Sequence, residues 1–329
     1  MDVANKTLSI CIPTFNRSHL LKEGLAYILA AAKGYENKIE IIISDNASTD
    51  STRDVVREFQ IKYPFIRYHR NDENIFELNY YVVAGLANGE YIWLFSDDDH
   101  MNQEAISVVI KQIKSNYNLI ITNYSLWTND FSKIIKPKVF PFRKDMIFFD
   151  HNVLMNTFGL RLGFISCIVM KKDRFCSLPE EEYKPYREYG FPFLYSIYYA
   201  VLNQCRAYFI TKPLLAQRGC HTNVDRSWWY KYFVTGSSLI FQELQKKGYS
   251  ENAIHHAKHL VLKNDVLHDI SYRKGNSKSL EGIFRLMLPL YKRYWFFWII
   301  ITPMIFAPRS FIWVGNKIVN AIRFKGLQK

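Results

Sequence analysis

The sequence predicts an α/β protein: a doubly wound parallel sheet followed by a helical, membrane-associating extension. Three observations predict it. Short β-branched runs alternate with helix-period segments through the first third, the runs end in polar loops, and beyond about residue 285 the composition turns aromatic and basic. Alternating strand and helix with short right-handed crossovers leaves the strand carboxyl ends on one edge, where ligands of such sheets bind.

Residues 8–13 form the first apolar run. Ser18 is placed to cap a helix reaching Ala32, with Leu20, Leu21, Leu25, Ile28 and Leu29 at helical spacing. Residues 39–44 hold four β-branched isoleucines, as in strands buried on both faces. The polar loop 45–50 leads to a helix carrying Val55, Val56 and Phe59. A third strand is expected at 65–69, a third helix at 78–87 and a fourth strand at 91–95. Loops 13–17, 45–50 and 96–99 then share one edge.

The fourth strand runs straight into Asp97, Asp98 and Asp99. Adjacent carboxylates raise each other's protonation cost, so burying them together demands a counter-charge. A hard divalent ion, Mn²⁺ or Mg²⁺, suits them, because such ions take one or two carboxylates and leave positions for substrate phosphates. The alternative is a solvated turn in which Asp99 caps a helix over residues 103–114.

Composition narrows the classes. The chain has 329 residues, long enough for two domains, and its 49% hydrophobic and 16% aromatic content excludes disorder. The five cysteines, Cys11, Cys167, Cys176, Cys205 and Cys220, are odd in number and form no CxxC pair. That argues against a disulfide framework or zinc site and for a reducing cytosol. Residues 1–5 show no basic start to a secretory signal. The net charge of +13 implies an anionic partner. No GxGxxG follows the first strand and no GxxxxGK[ST] occurs, which disfavours a dinucleotide oxidoreductase and a P-loop NTPase. The edge instead offers Phe15 to stack on a base, Asp45 to accept from a base or ribose, and the Asp cluster for metal and diphosphate.

Four segments carry a resemblance: Ser9-Ile10-Cys11-Ile12-Pro13-Thr14-Phe15-Asn16-Arg17, Ile42 through Asp50, Asn74 to Asn79, and Gly89-Glu90-Tyr91-Ile92 closing on Ser96-Asp97-Asp98-Asp99. In this order and spacing they resemble family 2 glycosyltransferases of the GT-A fold, strongly over residues 8–103. Within residues 12–50 the wording is similar to the abequosyltransferase-like bacterial polysaccharide subgroup, whose donors are CDP-activated dideoxyhexoses. The resemblance implies a mixed GT-A sheet and a metal-dependent transferase of the inverting kind. It also implies that Pro13, Thr14 and Phe15 hold the nucleobase, with Arg17 in the same loop, that Asp45 contacts the base, and that Asn74 and Asn79 close over the nucleotide. Asp98 matches the main metal ligand of the DxD signature, with Ser96 where its first Asp usually stands. Asp97 then faces the ribose or joins the ion, and Asp99 is a further ligand or a supporting acceptor.

An inverting transferase needs a carboxylate to take the acceptor proton. Past residue 175 the candidates are Glu188, Glu181 and Glu182. Glu188 ranks first because it lies among aromatics, where desolvation raises a carboxyl pKa; the competing reading is a salt bridge with Arg187 or Lys184. Glu180 to Glu182 also read as an exposed helix start. In the polar loop 217–223, Arg218 and His221 are expected over the diphosphate. The helix from residue 251 to about 270 carries His255 and His259 four apart, but without HExxH it reads as a solvated basic face.

Residues 294–302 are intensely apolar, yet the run stops before Pro308 and Arg309, short of the roughly 20 residues a spanning helix needs. Trp and Tyr flanked by Arg285, Lys292, Arg293, Arg309, Lys317, Arg323 and Lys325 suit a membrane interface. This tail turns the basic balance towards lipid rather than nucleic acid. The expected organisation is a nucleotide-sugar-binding half (1–125), an acceptor-binding half (126–225) and a helical C-terminal region (226–329). The expected function is transfer of a sugar from a nucleotide-diphosphate donor to a lipid-linked or polysaccharide acceptor, by a cytoplasmic enzyme peripheral on the inner face of the membrane. A nucleotidyltransferase, or a non-catalytic scaffold on the same fold, is the alternative.

Overall fold

Three short runs buried along almost their whole length need a covered sheet, and a fourth, carrying Arg67, His69 and Arg70, forms the sheet's edge. They are β1 (Leu8–Thr14), β2 (Ile39–Asp45), β3 (Ile66–Arg70) and β4 (Tyr91–Leu94). The computed structural model describes residues 6–189, 191–219 and 229–308. In it β1 pairs in parallel with β2 and β4, and β2 with β3. The register sets Thr14 beside Asp45 and Asp45 beside Arg70, so the carboxyl ends lie on one edge as expected. Glu40, inside β2, is buried because Ser9 Oγ and the Asn88 amide donate to it at 2.6 and 2.5 Å and Arg67 pairs with it at 2.8 Å.

Crossovers α1 (Ser18–Ala32), α2 (Thr52–Lys62) and α3 (Asn79–Gly85) cover the sheet. Ser18 does not cap α1: its own amide donates to Asp50 Oδ2 at 2.9 Å, so the neighbouring loop supplies the cap. The third helix is shorter than expected because a 3₁₀ turn, Phe76–Leu78, occupies its start. Nor does Asp99 cap a helix. A two-residue strand, β5 (His100–Met101), intervenes, and α4 begins at Ala105 and ends at Ile113.

The second half of the sheet departs from an all-parallel pattern. β6 (Leu119–Trp127), β7 (Ile134–Lys136), β8 (Met146–Phe148), β9 (Ile168–Lys171) and β10 (Ala207–Gln217) complete ten strands in the order β3-β2-β1-β4-β9-β6-β10-β5, with β7 on β6 and β8 on β10. β9 runs antiparallel to both β4 and β6, which makes the sheet mixed. β6 crosses the expected boundary at residues 125 and 126, so the sheet is one packing unit there. Helices α5 (His151–Phe158), α6 (Lys172–Cys176), α7 (Glu180–Tyr183) and α8 (Pro192–Ala200) follow β8.

Two compact units result. One holds the described residues of Met1–His151, Leu162–Glu188 and Pro192–Val224; the other holds those of Asn152–Arg161, Tyr189–Phe191 and Asp225–Lys329. The second is helical. A π-helical turn at Tyr230–Gly236 enters the helix Ser237–Lys247, and Ser250 Oγ accepts from the Ala253 amide at 3.2 Å to open the helix Glu251–Leu260. That helix continues through a π-helical turn, Val261–Val266, into Leu267–Gly275. Its basic face is not wholly solvated: Lys258 is buried, with Nζ 5.3 and 5.9 Å from the Tyr291 and Tyr294 rings, and burial lowers its pKa to about 8. Along residues 294–306, Phe296, Phe297 and Ile301 turn inward, while Trp295, Trp298, Ile299 and Phe306 are exposed.

Candidate active site

β4 delivers Asp97, Asp98 and Asp99 to the sheet edge, and β1 delivers Thr14 and Arg17 opposite them. Thr14 Oγ1 donates to Asp97 Oδ2 at 2.7 Å and Arg17 NH1 to Asp97 Oδ1 at 2.8 Å. Arg17 NH2 donates to Asp98 Oδ2, whose partner oxygen accepts from Ser96 Oγ at 2.5 Å. Phe15, between these contacts in sequence, is exposed, and Pro13 is half-buried. The loop fits this closely to α1 because Gly24 has no side chain: a Cβ there would lie 2.9 Å from the Asp97 carbonyl oxygen.

Asp99 faces the other way. Its Oδ2 accepts from Ser166 Oγ at 2.6 Å and its Oδ1 from the Arg218 amide at 3.1 Å. Ser166 also accepts from the Ser96 amide at 2.9 Å, so one hydroxyl pins both ends of the acidic loop. Burial, then repulsion by Asp98, pushes the Asp99 carboxyl up to about 8. Burial also raises Asp97, to about 6, against the opposing pull of Arg17. A folded carboxyl that holds its proton more tightly than the unfolded one stabilises the fold fully below the ordinary Asp value of 3.8, and that contribution is lost as pH climbs through about 8. Without divalent ions, the stability advantage of the wild type over Asp99→Asn is therefore expected to shrink between pH 4 and pH 8. Thermal unfolding of both proteins across that range checks it, and a gap that widens with pH contradicts it.

The second loop is built from amides. Asp45 is fully buried: Oδ1 accepts from the Ser48 amide at 2.8 Å, and Oδ2 from Tyr68 and Arg70 at 2.6 and 3.0 Å. Its carboxylate thus fastens the loop rather than presenting itself at the surface. Asn79 exchanges bonds with Ser44, accepting from Oγ at 2.6 Å and donating to the carbonyl at 2.8 Å. Asn74 accepts from Asn46 at 2.6 Å. Both asparagines therefore secure the segment that closes beside β2. Two residues missed in the sequence join this edge. Tyr80 lies within electrostatic reach of Arg17, Asp97, Asp98 and Glu77, and burial drives the Glu77 carboxyl up to about 7. The expectation of a nucleotide-closing segment at 74–79 pointed to the neighbourhood without singling either out.

Arg218 is drawn to the acidic loop but its donors are occupied. Nε donates to the Asp98 carbonyl at 3.1 Å, NH1 to the Asn129 carbonyl at 2.5 Å and NH2 to Glu23 at 2.8 Å. Its guanidinium lies 4.5 Å over the Phe131 ring, which stacks on His100, itself stacked on Tyr27. His221 lies outside the described residues, as do Cys220, Arg309, Lys317, Arg323 and Lys325.

The base candidates lie on α7 and on the 3₁₀ turn Lys184–Tyr189 that follows it. Tyr183 stacks on Tyr81 of α3 with ring centroids 3.6 Å apart, and Glu182 accepts from Tyr195 at 2.8 Å. Glu181 is exposed. Glu188 is exposed too, so the desolvation expected among its aromatic neighbours is not found, and Lys184 pairs with Glu180 at 2.8 Å rather than with Glu188.

Among the described residues no three His, Cys, Asp or Glu side chains converge to hold an ion alone. The chemistry of the donor set still fits a divalent cation completed by phosphate oxygens. Three carboxylates meet one available guanidinium, and Asp98 keeps a fifth of its side chain exposed.

Comparison with known proteins agrees with this construction. Residues 9–173 match the profile of "Glycosyl transferase family 2". Over 232 residues the chain is 28% identical to abequosyltransferase RfbV of Salmonella typhimurium, covering 67% of this chain and 68% of that one. Over 122 residues it is 32% identical to the GalNAc(5)-diNAcBac-PP-undecaprenol beta-1,3-glucosyltransferase of Campylobacter jejuni, covering 35% and 37%. Among solved structures it is similar to S. aureus TarS 1–349 in complex with UDP-GlcNAc, with a TM-score of 0.62, 14% identity and 87% and 82% of the two chains covered. The mannosyltransferase PcManGT of Pyrobaculum calidifontis in complex with GDP-Man and Mn²⁺ gives 0.52 at 15% identity, over 96% and 88%. The fold is of the GT-A type. Fold and matched profile define a sugar-transferring enzyme. The chain belongs to glycosyl transferase family 2 and is a glycosyltransferase.

Proposed function

We propose that the enzyme moves a sugar from a nucleoside-diphosphate donor to a hydroxyl of a lipid-linked or polysaccharide acceptor, of the bacterial O-antigen or capsule type, with Mn²⁺ or Mg²⁺ bound. The observation that carries this reading is the joining of Thr14 and Arg17 to Asp97 and Asp98 at the carboxyl ends of two parallel strands. Phe15 offers a face for the base, and the loop 13–17 and the segment 74–79 enclose the nucleoside. Asp98 is the side chain that would hold the ion, with Asp97 beside it and Asp99 supporting from within. When bound, the ion neutralises charge on the diphosphate leaving group. Glu188, Glu181 and Glu182 are the groups for the acceptor proton. The relative whose name gives an undecaprenol-linked acceptor supports a lipid-linked one here.

The test is sugar transfer and donor hydrolysis by purified protein across UDP-, GDP-, CDP- and dTDP-sugars, with and without Mn²⁺. Nucleotide release that depends on the ion supports the reading. Binding without turnover by any donor favours the scaffold alternative.

We place the enzyme in the cytoplasm, peripheral on the inner face of the membrane. No helix among the described residues is long and apolar enough to cross a membrane. The support is the outward stripe of Trp295, Trp298, Ile299 and Phe306, beside exposed Lys292 and Arg293. Losing the apolar burial of Trp298 and Ile299 is expected to cost about 3 kcal/mol of binding. The Trp298→Ser, Ile299→Ser double variant should then bind anionic phospholipid vesicles roughly a hundredfold more weakly in sedimentation. Unchanged binding would remove this face from the membrane contact.

A further inference from the structure

Arg17 stands where two demands meet. Its guanidinium forks across Asp97 and Asp98, taking one oxygen of each, while the other oxygens accept from the hydroxyls of Thr14 and Ser96. A fork matches paired carboxylates well. It brings only one positive charge to three acids, however, and the other guanidinium nearby, Arg218, is bonded to Glu23. Exposure differs across the pair. The Arg17 side chain is 41% exposed, against 2% for Asp97 and 20% for Asp98. The cation therefore sits on the solvent side of the acids and can turn outward without displacing a buried group.

We propose that Arg17 is a resident counter-ion: it holds the acidic pair while the donor is absent, yields Asp98 to the divalent ion that arrives with a nucleoside diphosphate, and then pairs with the diphosphate. This inference rests on the metal-dependent reading above. It makes metal and nucleotide bind together. A bare ion must displace Arg17 from its carboxylates and offers that guanidinium no new anion. The nucleotide complex supplies one, so each ligand raises the affinity for the other.

The experiment uses the full chain and reads binding rather than turnover. Mn²⁺ is titrated alone by electron paramagnetic resonance, and CDP, UDP, GDP and dTDP are titrated by calorimetry with and without Mn²⁺. Arg17→Gln should bind Mn²⁺ alone at least tenfold more tightly than wild type. Adding Asp98→Ala to that variant should abolish the gain, and the Mn²⁺-induced increase in nucleotide affinity should be smaller in Arg17→Gln than in wild type. Arg17→Lys, which keeps the charge but cannot fork, should fall between them, and circular dichroism establishes that both variants are folded. Equal or weaker Mn²⁺ binding by Arg17→Gln, with wild type still showing Mn²⁺-dependent nucleotide binding, overturns the counter-ion role and leaves the metal reading standing. Absence of Mn²⁺ binding in every protein, with no effect of Mn²⁺ on any nucleotide, overturns both.

Discussion

Asp98→Ala is expected to lower kcat/KM for sugar transfer about a thousandfold while leaving the fold intact. The carboxylate is the acid at the edge with solvent access and one oxygen held only by Arg17, which makes it the proposed ligand of the ion that would meet charge on the leaving group. Removing a contact that acts as leaving-group charge develops costs about 4 kcal/mol of transition-state stabilisation, at 1.36 kcal/mol per tenfold. Stability should move little, because the residue is partly exposed and its pairing with Arg17 is solvent-screened. Steady-state kinetics at saturating Mn²⁺ with the best donor checks this. Activity within threefold of wild type would displace Asp98 from the metal.

Asp45→Ala is expected to act in the opposite sense, on stability first. The side chain is fully buried and accepts three bonds, from the Ser48 amide, the Tyr68 hydroxyl and Arg70. Deleting it leaves those donors unmet, at about 3 kcal/mol. For a domain of this size that corresponds to a fall in Tm of roughly 6–12 °C. Donor KM should rise as well, since the loop that Asp45 fastens carries Asn46, to which Asn74 is bonded. A residue that merely touched the base would raise KM and leave Tm alone, so calorimetry and kinetics on the same preparation separate the two roles.

The parallel half of the fold was legible because its signal is local. Runs such as residues 39–44, with four isoleucines in six positions, are buried on both faces, and the chain must cover both sides of them with helices. Local periodicity did not mark β9, a four-residue strand between a 3₁₀ turn and a short helix, so the mixed sheet was legible only through the family resemblance. At the site, residue types were readable and their partners were not. Asp45 and Arg218 were expected to face a ligand, yet the donors and acceptors that occupy them, Tyr68, Arg70, Glu23 and Asn129, lie at distances along the chain that spacing does not encode. Ser166 went unseen for the same reason: it meets Asp99 from 67 positions away. Glu188 differs again: aromatic residues flank it in sequence, yet its side chain is exposed, so the burial read from those neighbours is absent.

The reversed direction of β9 decides which part of the chain can change length. Because that strand runs against β4, it is its leading end, with Ser166 just ahead of it, that returns to the acidic loop. Between Trp127 and Ile165 the chain makes an excursion that pairs β7 with β6 and β8 with β10 and lends Asn152–Arg161 to the helical unit before it comes back at that serine. Length can therefore be added to the exposed turns of that detour, away from its strand pairings, without moving the hydroxyl that steadies both ends of the acidic loop.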